Sequence, residues 1–279
     1  MCLTFKVVEG WVGLPEGWVF GHVIGVAGDS ADNVYVFHRG EHPVIVFNRE
    51  GEFIASWGEG IFQNPHCIYI DHEDSVFCID SGDHTVRKFT TSGKILMTLG
   101  NVGVPGADGA PFNRPSDVAI TSTGDIYVTD GYGNNRVHKF SSDGKHLFSW
   151  GEAGKGPGQF NLPHGIWIED DRKIYVADRQ NHRIQIFNME GDFLEEWTGF
   201  KQPCHVFIDK EKRVYIPELQ ARMSVLDLKG NIVSRWGEEK SKAPGLFIAP
   251  HASWVDSYGD LYIAETLEGS RIQKFTLEK

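Results

Sequence analysis

The sequence predicts an all-β chain folded as a six-bladed β-propeller, and three observations carry that prediction. A unit of four short strands, each alternating apolar and polar residues, recurs along the chain, and no stretch shows the 3.6-residue period of a helix. A Pro-His dipeptide opens equivalent strands at Pro65-His66, Pro163-His164 and Pro250-His251. The histidines are 98 and 87 residues apart, about two repeats each time. On a six-fold wheel this places His66, His164 and His251 on every second blade, about 120° apart, at the strand nearest the axis.

The elements follow in order after a short lead, residues 5–18. The third repeat shows the pattern most cleanly. Its strands are Asp117-Val118-Ala119-Ile120, residues 125–130, residues 136–140 and residues 146–151, the last ending in Trp150-Gly151. Thr123-Gly124, Asp143-Gly144 and Gly133-Asn134-Asn135 lie between them and supply residues that tolerate the positive φ of hairpin turns. Second strands align at residues 34–36, 76–78, 174–176, 214–216 and 261–263, and third strands at 44–47, 86–89, 184–187, 223–226 and 272–275. Pro65, Pro115, Pro163, Pro203 and Pro250 open repeats two to six. The sixth repeat runs out near Phe275-Thr276 without a fourth strand, while Phe5-Lys6-Val7-Val8 has no other place to pair. The N-terminal strand is therefore expected to close the ring and remove two open edges. Residues 1–279 form one propeller domain in this reading.

Composition narrows the function. The formal net charge is −11, from 27 Lys and Arg against 38 Asp and Glu, and no block of basic residues exists. Nucleic acid and membrane surfaces are therefore not the expected partners; a small molecule is. The N-terminus lacks the apolar core of a signal peptide, no apolar run approaches membrane-spanning length, and a cytoplasmic protein is expected. Cys2, Cys67, Cys78 and Cys204 have no CxxC spacing and read as free thiols.

Three imidazoles converging on an axis suit a divalent ion, with a fourth position open for water or substrate. A single histidine after proline would instead be read as a hydrogen-bonding link to the neighbouring blade; three on alternate blades give the metal reading equal weight, and spacing alone leaves both open. Arg39 and Arg179 follow the second strand in repeats one and four, which face each other across the wheel. Two such guanidinium groups suit an anionic or carbonyl-bearing ligand, unless each pairs with an acid such as Asp178 or Glu218. Tyr132 sits one residue further along in repeat three, between Gly131 and Gly133. It is either a packing residue or, beside an ion and two arginines that favour its anionic form, a proton acceptor. Asp80, Asp130, Asp178, Glu218 and Glu265 each end a second strand and read as architecture, as do Trp57, Trp150, Trp197 and Trp236. His84, His138 and His182 show no symmetry and are expected on solvated strands or turns.

The segments Asn113-Arg114-Pro115-Ser116-Asp117, Asp130-Gly131-Tyr132, His38-Arg39-Gly40 and Ala177-Asp178-Arg179, with the three Pro-His strand starts, resemble NHL repeats. They resemble specifically the peptidyl-α-hydroxyglycine α-amidating lyase family, over nearly the whole chain. The resemblance implies zinc, or another divalent ion, on His66, His164 and His251, active-site roles for Arg39 and Arg179, and Tyr132 as catalytic base. The chain departs from the family where Ala252 stands for a calcium-binding Asp, Ala249 for a pocket Met, and Gly133 for the Cys of a disulfide in the animal enzymes. No calcium is expected by that route. The expected function is metal-dependent C–N lysis of a small α-hydroxy-amide, releasing an aldehyde such as glyoxylate. A metal-dependent hydrolase or lactonase and a non-catalytic NHL interaction module are the alternatives.

Overall fold

A computed structural model of the chain describes residues 3–107 and 112–278. Among these residues the chain forms six antiparallel four-stranded sheets, and the fold is a six-bladed β-propeller, as the repeat predicts. Blade one comprises Val23–Gly28, Val34–His38, Val44–Phe47 and Phe53–Trp57, and the next four blades follow the same consecutive order. Blade six is completed by Phe5–Val8, which pairs antiparallel with Arg271–Leu277 in the register Phe5 to Leu277 and Val8 to Lys274.

The core is divided among the blade interfaces. Ile24, Phe37 and Val44 of blade one, for example, pack with Ile68, Val76 and Cys78 of blade two. The outer-strand tryptophans belong to the same system. Trp57, Trp150 and Trp197 each lie against a turn glycine of the next blade, Gly93, Gly191 and Gly230, where an added Cβ would come within 2.8 Å of the indole. At the closing seam Phe5 stacks on Trp236 with ring centroids 5.2 Å apart. Deleting residues 1–9 removes that stack and the outermost strand of blade six together. A drop of several degrees in melting temperature is the expected result, and an unchanged value would count against closure by this strand.

The second-strand acids are architectural. Asp80, Asp130, Asp178, Glu218 and Glu265 are all fully buried. Each accepts backbone N–H groups from the loop before the innermost strand of its own blade, as Asp80 does from Gln63 and Asn64, and Glu265 from Ile248. In blade one this place belongs to His38, whose Nδ1 accepts the Gly21 N–H at 3.1 Å. Burial lowers the His38 pKa to about 4, which keeps the ring neutral and able to accept.

The expectation of solvated positions for three other histidines holds for His182, exposed on a turn, and for His84, half-buried on one, and is corrected for His138. His138 is fully buried, with Nδ1 2.6 Å from Ser149 Oγ and Nε2 3.3 Å from Asp130 Oδ2. His84 and His182 do share a symmetry: in left-handed conformations, their Nδ1 atoms accept the N–H of Arg114 and Gln202, the residues before Pro115 and Pro203 in the following blades. Cys67, Cys78 and Cys204 are free and buried, as expected, while Cys2 lies outside the described residues.

Candidate functional site

The innermost strands begin in a ring of equivalent positions: Ile24, His66, Ser116, His164, Cys204 and His251. The odd blades contribute backbone carbonyls to this ring and the even blades contribute imidazoles. His66 Nδ1 lies 2.6 Å from the Ser116 carbonyl, His164 Nδ1 2.7 Å from that of Cys204, and His251 Nδ1 2.7 Å from that of Ile24. A carbonyl oxygen only accepts, so each Nδ1 carries the proton and each Nε2 presents a lone pair. The inter-blade link and a nitrogen free to bind an ion on the axis are thus two ends of one ring, where sequence reasoning treated them as alternatives.

The three rings are 1, 2 and 6 % exposed, and one ring nitrogen from each lies within 4.8 Å of the others. Burial first, reinforced by the like charges of neighbouring histidines, Arg39 and Arg179, holds the His66 and His164 pKa values well below the usual imidazole value and that of His251 at about 3. Neutral, tautomer-locked imidazoles in this arrangement fit a divalent ion, whose bonds to nitrogen of about 2.0–2.1 Å would draw the three inward. No fourth His, Cys or carboxylate among the described residues joins them.

Tyr132 reaches this site from blade three. Its hydroxyl lies 3.0 Å from His66 Nε2 and 3.1 Å from His164 Nε2, and it accepts from Arg179 Nη1 at 3.2 Å. The loop that carries it is held closely, since a Cβ on Gly131 would come within 1.9 Å of the Pro163 carbonyl oxygen. Arg179 is buried on a single 3₁₀ turn, Arg179–Asn181, and its Nε has no partner. Arg39 Nε donates to the Pro65 carbonyl, next to His66, at 3.0 Å. The acids that could have neutralised these arginines are engaged elsewhere: Asp178 pairs with Arg183, and Glu218 with Arg222.

Two features escaped sequence reasoning. Arg114 lies near Tyr132, its Cζ 5.2 Å from the ring centroid, comparable to the 5.4 Å of Arg179. Directly after the ring of strand starts come Cys67, Asp117 and His205, which line the same axial cavity as the three histidines. Cys67 Sγ donates to Asp117 Oδ1, and His205 Nε2 lies 3.8 Å from Asp117 Oδ2. Burial raises the Asp117 pKa to about 7 and lowers that of His205 to about 4. Three different residue types on three blades give no repeat signal, so spacing could not have revealed them. Ala249 and Ala252 are buried and present no ligating side chain.

These shifts predict the acid response of the metal-free protein. His38, His66, His164, His205 and His251 resist protonation when folded, but an unfolded imidazole takes a proton near pH 6.5. Their stabilising contribution is present above pH 6.5 and falls by about 1.4 kcal/mol per group for each pH unit below it, until the folded pKa is reached. Asp117, raised from 3.8 to about 7, runs the other way: its contribution is present below 3.8 and lost as pH rises through 7. Five imidazoles outweigh one carboxyl. The melting temperature is expected to fall by at least about 5 °C between pH 7 and pH 5. A flat profile over that range would show that these rings protonate in the folded state.

Residues 107–264 match a family described as a 6-bladed beta-propeller. The chain is 35% identical over 212 residues to NHL repeat-containing protein 3 of Homo sapiens, covering 71% of this chain and 60% of that protein's length. It is 32% identical over 252 residues to a probable peptidyl-alpha-hydroxyglycine alpha-amidating lyase of Caenorhabditis elegans, covering 84% of this chain and 70% of that protein. Among solved structures, a streptogramin B lyase superposes with a TM-score of 0.70 at 14% identity over 98% of both chains, a likeness of fold. Among the described residues no helix is long and apolar enough to cross a membrane.

Proposed function

Because the chain belongs to the six-bladed NHL-repeat propeller family that includes the peptidyl-α-hydroxyglycine α-amidating lyases, we propose that it is a metal-dependent lyase. It cleaves the C–N bond of a small carbinolamide and releases an aldehyde such as glyoxylate. The observation that carries this reading is the contact of one phenol, Tyr132, with two of three tautomer-locked imidazoles and with the buried Arg179. Packing alone does not require a hydroxyl at that point.

His66, His164 and His251 would hold the ion, with zinc fitting three neutral nitrogen donors. Bound there, a divalent ion supplies Lewis acidity toward the hydroxyl of an N–CH(OH)–R substrate. The protein's own groups carry the proton. Tyr132, held by Arg179 Nη1 at 3.2 Å, is the base that accepts it from the substrate hydroxyl; the oxygen's electron pair then forms the C=O bond as the C–N bond breaks. The departing amide nitrogen takes the proton from Tyr132, so no proton is gained or lost overall. Arg39 and Arg179 offer bidentate donors to a carboxylate or carbonyl beside the reacting carbon.

The test measures metal in protein purified without chelator, then assays aldehyde release from α-hydroxyglycine-type and ureido compounds beside a panel of lactones and esters. Lactone turnover without aldehyde from any carbinolamide would replace this reading with a hydrolase. Metal-free protein inactive on both panels would leave an interaction module.

A further inference from the structure

We propose that Arg114 forms a second anion subsite at the mouth of the axial site, so that the preferred ligand carries a negative charge on its acyl side as well as a carboxylate beside the reacting carbon. The orientation of the ligand rests on the lyase reading above. The subsite itself rests on how the arginines are paired.

In a chain with 38 acidic and 27 basic residues, arginines find carboxylates easily. Arg49 pairs with Asp256, Arg87 with Asp83, Arg183 with Asp178, Arg213 with Asp209, Arg222 with Glu218 and Arg271 with Glu265. Arg39, Arg114 and Arg179 form no ion pair among the described residues; the exposed Arg172 and the half-buried Arg235 form none either, but these three alone gather around Tyr132. Asp80, whose charge reaches Arg39, spends its oxygens on the N–H groups of Gln63, Asn64 and Gly82. Burial, with the like charge of Arg114 nearby, holds the Arg39 guanidinium below its ordinary value. Leaving three guanidinium groups together and uncompensated costs electrostatic energy that a doubly anionic ligand would recover.

The three arginines differ in depth. Arg179 is buried, Arg39 is intermediate and Arg114 is exposed. One carboxylate can be shared by the two deeper groups, but the rim group then needs an anion of its own. Arg114 is held in place by its backbone: φ is 63°, its N–H is fixed on His84 Nδ1 at 3.0 Å, and Pro115 follows. The corresponding residues in the next two blades, Leu162 and Gln202, share this left-handed conformation but carry no charge. The charge is therefore particular to the blade that bears Tyr132. The ligand class is an N-acylglycine or N-acyl-α-hydroxyglycine whose acyl group ends in a carboxylate.

Two unreactive probes of nearly equal shape test this by calorimetry on the metal-loaded protein: N-succinylglycine and its neutral terminal amide, N-succinamoylglycine. The wild type is expected to bind the diacid about tenfold more tightly, a preference that weakens as salt rises. In Arg114→Gln the preference should shrink to about twofold or less, while Arg114→Lys retains part of it. Gln202 already occupies the equivalent left-handed position, so glutamine suits the backbone there. Equal affinity for the two probes, no binding of either, or a preference that survives Arg114→Gln would overturn the subsite. Assays of the corresponding α-hydroxy compounds then separate the two readings. A diacid preference without aldehyde release sinks the lyase and leaves the subsite, whereas equal turnover of both compounds does the reverse.

Discussion

His164→Ala is expected to remove nearly all axially bound metal while the protein remains a folded propeller. His164 supplies one of three converging nitrogens, and two imidazoles with no carboxylate or thiolate beside them make a weak site for a divalent ion. The substitution also leaves the Cys204 carbonyl without its 2.7 Å donor, so a modest loss of stability should accompany the loss of metal. His66→Ala and His251→Ala should behave alike, since each removes one ligand and one inter-blade hydrogen bond. The control is His72→Ala, at an exposed turn position. His138 would mislead as a control because it is buried against Asp130 and Ser149. Metal content equal to wild type in a folded His164→Ala protein would rule out the three-histidine site.

Tyr132→Phe should act on the reaction rather than on the ion. The phenyl ring keeps the packing, while the hydroxyl that contacts His66, His164 and Arg179 is lost. With no general base at that point, kcat on a carbinolamide is expected to fall by about 10²-fold or more, at unchanged metal content. Arg39→Ala and Arg179→Ala should instead raise KM and lower kcat/KM, because they remove groups that hold the substrate through the transition state. A Tyr132→Phe enzyme with wild-type kcat would remove Tyr132 from the chemistry.

The fold was legible because each blade repeats the same alternation and five of the six end their second strand in a carboxylate, so errors in one repeat are corrected by the others. The closing strand was legible by elimination. Within the site, the three histidines stood out because one dipeptide recurred at a doubled interval. What remained hidden depends on contacts between blades. Sequence spacing does not show that His38 replaces a carboxylate as a loop acceptor, or that His84 and His182 cap the following blade. Arg114 lay within a recognised motif, yet its role depends on a left-handed backbone whose equivalents are Leu162 and Gln202. Cys67, Asp117 and His205 come together only when three separate strands reach the axis.

The alternation of imidazoles and carbonyls around the axis bears on how this propeller unfolds. Repeat proteins commonly behave as strings of neighbours, each unit sensing only the next, so that one end frays while the other persists. Here an ion on the three Nε2 atoms would touch blades two, four and six directly and reach blades three, five and one through a single hydrogen bond each. No blade could then leave the ring without disturbing the one point common to all of them. Metal loading would turn six nearest-neighbour units into one cooperative body and sharpen the melting transition as well as raising it. The His251 link to Ile24 spans the closing seam, so the three-histidine site is complete only when the ring is.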